Sequence, residues 1–119
     1  MTPEGKIKQK IDKMLKAKKD VWFFKPQAGP FGRSGVPDYI ICNNGFFLGI
    51  EAKAGKSRKP TALQEQCMEK IIGAKGTCFV VYDDATLRRV EVAIDKVAEF
   101  VSLSGRLIAE RAIAEETTH

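Results

Sequence analysis

Asp38, Glu51 and Lys53 are the residues whose types and spacing suit them to act together. Two carboxylates converging on one point attract a hard divalent cation such as Mg2+ or Mn2+, which prefers oxygen ligands and leaves room for waters and a substrate phosphate. A lysine beside them supplies a compact positive charge that orients a water or stabilises a pentavalent phosphate transition state. The chemistry such a trio suits is metal-assisted hydrolysis of a phosphodiester.

The elements around the trio predict that it converges. Asp38 to Cys42 and Phe46 to Lys53 are β-favouring runs separated by Asn43-Asn44-Gly45, and Asn-Gly is a strong hairpin signal. With Asn44-Gly45 as a two-residue turn, Asn43 pairs with Phe46 and every later pair has numbers summing to 89, so Asp38 lies opposite Glu51. Directly opposed like charges repel, so the fold gains nothing from this pair unless a cation sits between them. Side chains alternate along a strand, which puts Lys53 on the face of Glu51 and places Tyr39, Ile41, Phe46, Leu48, Ile50 and Ala52 on the other, apolar face. In the competing reading Asp38 caps a loop while Glu51 and Lys53 are ordinary solvent-facing residues. Glu-X-Lys alone is common by chance. Gly35-Val36-Pro37-Asp38 before one strand and Glu51-Ala52-Lys53 ending its partner, in a register set by Asn-Gly, is a far rarer coincidence.

The rest of the chain reads as support. Thr2-Pro3-Glu4 starts a helix, and Ile7, Ile11, Met14 and Leu15 continue it at helical spacing to about Lys18. Val21 to Phe24 predicts a strand, and the Gly- and Pro-rich stretch from Pro26 to Gly35 predicts a loop. Thr61 and Gln64 stand at capping-box spacing and open a helix with Leu63, Cys67, Met68, Ile71 and Ile72 inward, ending near Gly73. The apolar run Thr77 to Tyr82 predicts a central strand. Beyond Asp83, Leu87, Val90, Ile94, Val97 and Val101 fit one helix, but Val90, Val92 and Ile94 also alternate. The expectation is a strand or turn at Arg88 to Val92, a helix from about Asp95, and a helical tail from Arg106 that frays from Thr117.

Composition narrows the class. A chain of 119 residues with 44% hydrophobic and 29% charged residues fits one soluble domain over 1–119, without a signal peptide or a membrane-length apolar run. Cys42, Cys67 and Cys78 are odd in number and widely spaced, and the one histidine is His119, so neither a disulfide framework nor a zinc site is expected and a reducing cytoplasm is. Residues 1–60 carry 13 Lys+Arg against 5 Asp+Glu, whereas residues 61–119 carry 7 against 10. The basic half is the one suited to a polyanion, unless Lys6, Lys10, Lys13, Lys16 and Lys19 merely solvate a helix face.

Pro37-Asp38, twelve intervening residues and Glu51-Ala52-Lys53 resemble the PD-(D/E)XK nuclease motif. The string Arg33-Ser34-Gly35-Val36-Pro37-Asp38, with Gln64 in the next helix, resembles the VRR-NUC branch, in particular its stand-alone phage members. The resemblance spans about Glu4 to Tyr82. It implies an α/β, restriction-endonuclease-like core with a mixed central sheet flanked by helices in the order αβββαβ. It further implies Asp38 and Glu51 as metal ligands, the Ala52 carbonyl as another, and Lys53 as the catalytic lysine. Glu4 matches the acidic residue that the first helix of such nucleases aims at the metal; otherwise it complements the helix dipole. Gln64 matches the glutamine near the metal water; otherwise it completes the capping box. Arg33 and Ser34 before the trio, and Lys56, Arg58 and Lys59 after it, suit DNA phosphates or are flexible surface charges. The implied activity is a Mg2+- or Mn2+-dependent endonuclease acting as a homodimer on four-way (Holliday) junctions in the cytoplasm, of the host if phage-encoded, without an organic cofactor or membrane partner. A flap or duplex-end nuclease, or a non-catalytic basic nucleic-acid-binding protein, are the alternatives.

Overall fold

The computed structural model describes residues 1–27 and 35–117, with side chains through Ser104. The order is α1 (Pro3–Lys16), β1 (Val21–Phe24), β2 (Tyr39–Asn43), β3 (Phe46–Ala52), α2 (Ala62–Gly73), β4 (Thr77–Val81) and α3 (Asp84–Thr117). The described strands form one mixed sheet in the order β1-β2-β3-β4, antiparallel across its first two junctions and parallel between β3 and β4. The protein is therefore an α/β fold with helices packed on an open mixed sheet.

The hairpin adopts the expected register. Asn43 pairs with Phe46 and Tyr39 with Ile50. Asn44 and Gly45 have φ of 52° and 88°, the two positive values of a type I′ turn, which Asn and Gly adopt with least strain. One sheet face carries the core: Tyr39, Ile41, Ile50 and Ala52 pack with Ile11 and Leu15 of α1 and Val90 and Ile94 of α3. Thr2 caps α1, its hydroxyl accepting from the Gly5 N–H at 3.0 Å. Tyr39 then ties that helix to the sheet, donating to Asp12 Oδ1 at 2.7 Å with the Lys8 carbonyl 3.0 Å away.

Several expectations are corrected. β4 ends the described sheet rather than lying at its centre. Its apolar run reflects helices on both faces, with α2 on one side and α3 on the other, not strands on both edges. No strand interrupts residues 88–92, because α3 starts at Asp84 and continues unbroken to Thr117. Its start is fixed by an N-terminal cap: the Thr86 N–H donates to Asp83 Oδ1 at 2.8 Å, while Thr86 Oγ1 accepts from the Tyr82 and Asp83 N–H groups. In α2 the expected inward set is only partly inward, since Leu63 and Ile72 are 56% and 54% exposed while Cys67, Met68 and Ile71 are half-buried. This helix packs against β4, and its Gln64 reaches Glu51 of β3. Cys42 is exposed, Cys67 and Cys78 are half-buried, and all three thiols are free. The loop expected over 26–35 lies largely outside the described residues. No described helix is long and apolar enough to cross a membrane.

Candidate active site

β2 begins at Tyr39 and β3 ends at Ala52, so Asp38 and Glu51 meet where the hairpin opens, on the face opposite the core. Asp38 is oriented by the chain itself: its Oδ2 accepts from the Ala52 N–H at 2.8 Å. Approach to this point is governed by Gly35, with φ of +83°, where an added Cβ would stand 2.6 Å from the Leu63 carbonyl oxygen at the start of α2. The chain passes too close to α2 there for any side chain, and in a conformation that glycine adopts without strain.

Glu51 is the most unusual residue of the site, a carboxylate only 2% exposed. Its Oε1 accepts from Gln64 Nε2 at 3.2 Å and lies 3.8 Å from Lys53 Nζ. Its Oε2 is buried and has no hydrogen-bond partner. Burial, and then the hydrogen-bonding contact and negative charge of Asp38, push the Glu51 carboxyl up to about 8, with Glu4 adding to the effect and Lys53 opposing it. Ionised, that buried oxygen faces no donor, at a cost of about 1–3 kcal/mol or more; protonated, the carboxyl hydrogen-bonds Asp38.

Lys53 points onto the face of Glu51 and is held by Gln64, whose Oε1 accepts from Lys53 Nζ at 2.9 Å. The same oxygen accepts from the Thr61 N–H at 2.8 Å, while the Gln64 N–H donates to Thr61 Oγ1 at 3.2 Å. Gln64 completes the capping box of α2 and at the same time bridges Lys53 to Glu51. The orientation of its amide follows from its neighbours, because a lysine ammonium and a backbone N–H can only donate. Lys53 is fixed on its other side by its backbone, its N–H donating to the Val81 carbonyl at 2.9 Å.

Glu4 stands at the rim. Lys8, one helical turn further, places its Nζ 3.6 Å from both Glu4 Oε2 and Asp38 Oδ1. This ammonium was missed by the sequence reading, although i,i+4 spacing from Glu4 carries the signal. Asp12 lies on the other side of the sheet, against Tyr39 and Lys25. Burial alone would raise its carboxyl, but hydrogen bonds from Tyr39 and Lys25 outweigh it and hold Asp12 below the usual carboxylate range.

Among the described residues no three His, Cys, Asp or Glu side chains form a ready metal-ligand group. Glu4, Asp38 and Glu51 thus do not converge as a three-carboxylate cage. The donor set that fits a hard cation is narrower: Asp38 and Glu51, with backbone or water oxygens in the other positions. The unpartnered Glu51 Oε2 is the specific feature that suits it. Ala52 contributes its N–H to Asp38 and buries its side chain in the core. Lys56, Arg58 and Lys59 are exposed on the connection that leaves Lys53 for α2. Arg33 and Ser34 lie outside the described residues. The chain matches no protein-family model, and no curated protein is similar enough to count as a relative.

Proposed function

We propose that this protein is a metal-dependent nuclease of PD-(D/E)XK type, with a restriction-endonuclease-like core, that hydrolyses DNA phosphodiesters. The observation that carries the proposal is the burial of Glu51 against Asp38 with one carboxyl oxygen unpartnered and Lys53 alongside. A solvated surface pair would place both carboxylates in water, where repulsion costs little. A structural carboxyl would be satisfied on both oxygens.

In this reading Asp38 and Glu51 hold Mg2+ or Mn2+, with the Ala52 carbonyl as a further donor. A bound ion of this kind lowers the pKa of a coordinated water and offsets charge building on the phosphate. The chain's own residues do the rest. The Ala52 N–H fixes Asp38 Oδ2, while Oδ1 faces the site with Lys8 Nζ 3.6 Å away. Gln64 holds Lys53 Nζ beside the carboxylates, so that its charge faces the scissile phosphate without a reorganisation cost. Glu4 acts from the rim through its electrostatic effect on Glu51. Lys56, Arg58 and Lys59, with Arg33 and Ser34, engage flanking phosphates. A homodimer would present two such sites for paired cuts in a four-way junction.

The test is incubation with Mn2+ and end-labelled four-way junction, flap and linear duplex. Symmetric cuts near the crossover support junction cleavage, and a ladder from duplex ends supports a less selective nuclease. Asp38→Asn and Glu51→Gln should each abolish cleavage while DNA binding is kept or tightened, because repulsion of phosphate is removed. Cleavage surviving in both variants would overturn the proposal. A non-catalytic binder would instead show salt-sensitive binding that Asp38→Asn leaves unchanged.

A further inference from the structure

Among the described residues, the site face of the sheet is covered on only one side. α2 packs over β4, whereas the β1–β2 side carries Trp22 and Phe24, 63% and 46% exposed, in one edge strand. Trp22 pairs with Cys42 and Phe24 with Ile40, which puts both rings on the face of Asp38, in consecutive rows leading away from it toward the hairpin turn. Their ring centroids are 5.6 Å apart. Exposed aromatic pairs in an edge strand cost solubility and invite aggregation unless they serve a contact.

We propose that Trp22 and Phe24 form a stacking platform for unpaired bases of the DNA strand whose phosphate lies at Asp38 and Glu51. This rests on nucleic acid being the ligand, and it deepens that reading by naming the substrate class as DNA with an unpaired or splayed segment. Two arguments select this occupant. The rings share a sheet face with Asp38, in the next rows of the sheet. Lys53, with the exposed Lys56, Arg58 and Lys59, follows on the other side of the acidic pair, so a polyanion seated at the pair is continuous with the platform. The two rings, 5.6 Å apart and tilted by 48°, are spaced wider than the ~3.4 Å rise per nucleotide in one strand of duplex DNA. Successive bases therefore meet successive rings only when the strand is stretched and unstacked. Aromatic rings accept any base, so the platform reads openness of the strand rather than sequence.

Trp22 is the one tryptophan of the chain and reports on its own contact. In EDTA, where nothing is cut, an oligothymidylate of about 12 nucleotides should quench Trp22 fluorescence, and a blunt duplex should quench it much less. By anisotropy of a labelled oligonucleotide, Trp22→Ala and Phe24→Ala should each weaken single-strand binding roughly tenfold, and Trp22→Phe should restore most of it. Circular dichroism melts of the same variants separate a lost contact from a lost fold. Unchanged fluorescence on binding, or wild-type affinity in a folded Trp22→Ala, would overturn the platform. So would a Trp22 spectrum that changes with protein concentration in the absence of DNA, the mark of a second copy on the rings. Cleavage in Mn2+ without a Trp22 response defeats the platform alone. A Trp22 response without cleavage leaves the platform standing and defeats the nuclease.

Discussion

Glu51 governs the pH behaviour of this molecule. Folded, its carboxyl is pushed up to about 8, against 4.5 for a free glutamate. Between those values the native chain keeps a proton that the unfolded chain releases, so native stability falls as pH rises through that window. Denaturant midpoints of the metal-free protein should decline from pH 5 to pH 9, and Glu51→Gln should flatten the decline. A wild-type profile that is flat across this range would mean that the carboxyl is not buried as described. Gln64 permits a second test at this scale. Gln64→Glu keeps an acceptor for Thr61 and Lys53 but replaces the donor facing Glu51 with negative charge. It should leave α2 intact by circular dichroism and lower the cleavage rate by about 10²-fold through misplacement of the neighbouring groups. Gln64→Ala should lose about 0.5–2 kcal/mol as well, the usual cost of a lost helix cap.

The elements explain which parts of the site were legible in the amino-acid sequence. Asn44-Gly45 fixes a turn with two positive φ values, and alternation fixes the faces, so the meeting of Asp38 with Glu51 follows from local rules. Elements whose identity depends on tertiary cover were less legible. The apolar residues of β4 look the same whether strands or helices lie beside them. The alternation of Val90, Val92 and Ile94 competes with a helical pattern that prevails once Asp83 and Thr86 cap α3. Lys8 is one of several lysines of α1, and besides its i,i+4 spacing from Glu4 its neighbour Asp38, thirty residues on, distinguishes it. Gly35 shows how an element positions the site from outside it. Gly35→Ala places a Cβ 2.6 Å from the Leu63 carbonyl at a φ of +83°, and should cost about 1–3 kcal/mol or more. A lowered urea midpoint with unchanged slope would confirm it, together with weakened cleavage, since Asp38 lies three residues on.

At the scale of the whole molecule, a cation held as proposed by Asp38 and Glu51 would bind the native chain and not the unfolded one. Mn2+ at about 100 times its dissociation constant should add about 2.7 kcal/mol, raising the melting temperature by roughly 10 °C. Asp38→Asn should abolish that rise, and a rise that persists would place the ion elsewhere. The parallel pairing of β3 with β4 also has a temporal consequence. The hairpin of residues 39–52 closes through neighbours in the chain, but the Lys53 N–H finds its partner only at Val81, across the intervening α2. Local pairing is fast and crossover pairing slow. On a ribosome, then, the acidic pair would meet while still bathed in water, at little cost. Only after about thirty further residues had emerged would α2 and β4 close over Glu51, leaving the expense of assembling this centre to the last stage of folding.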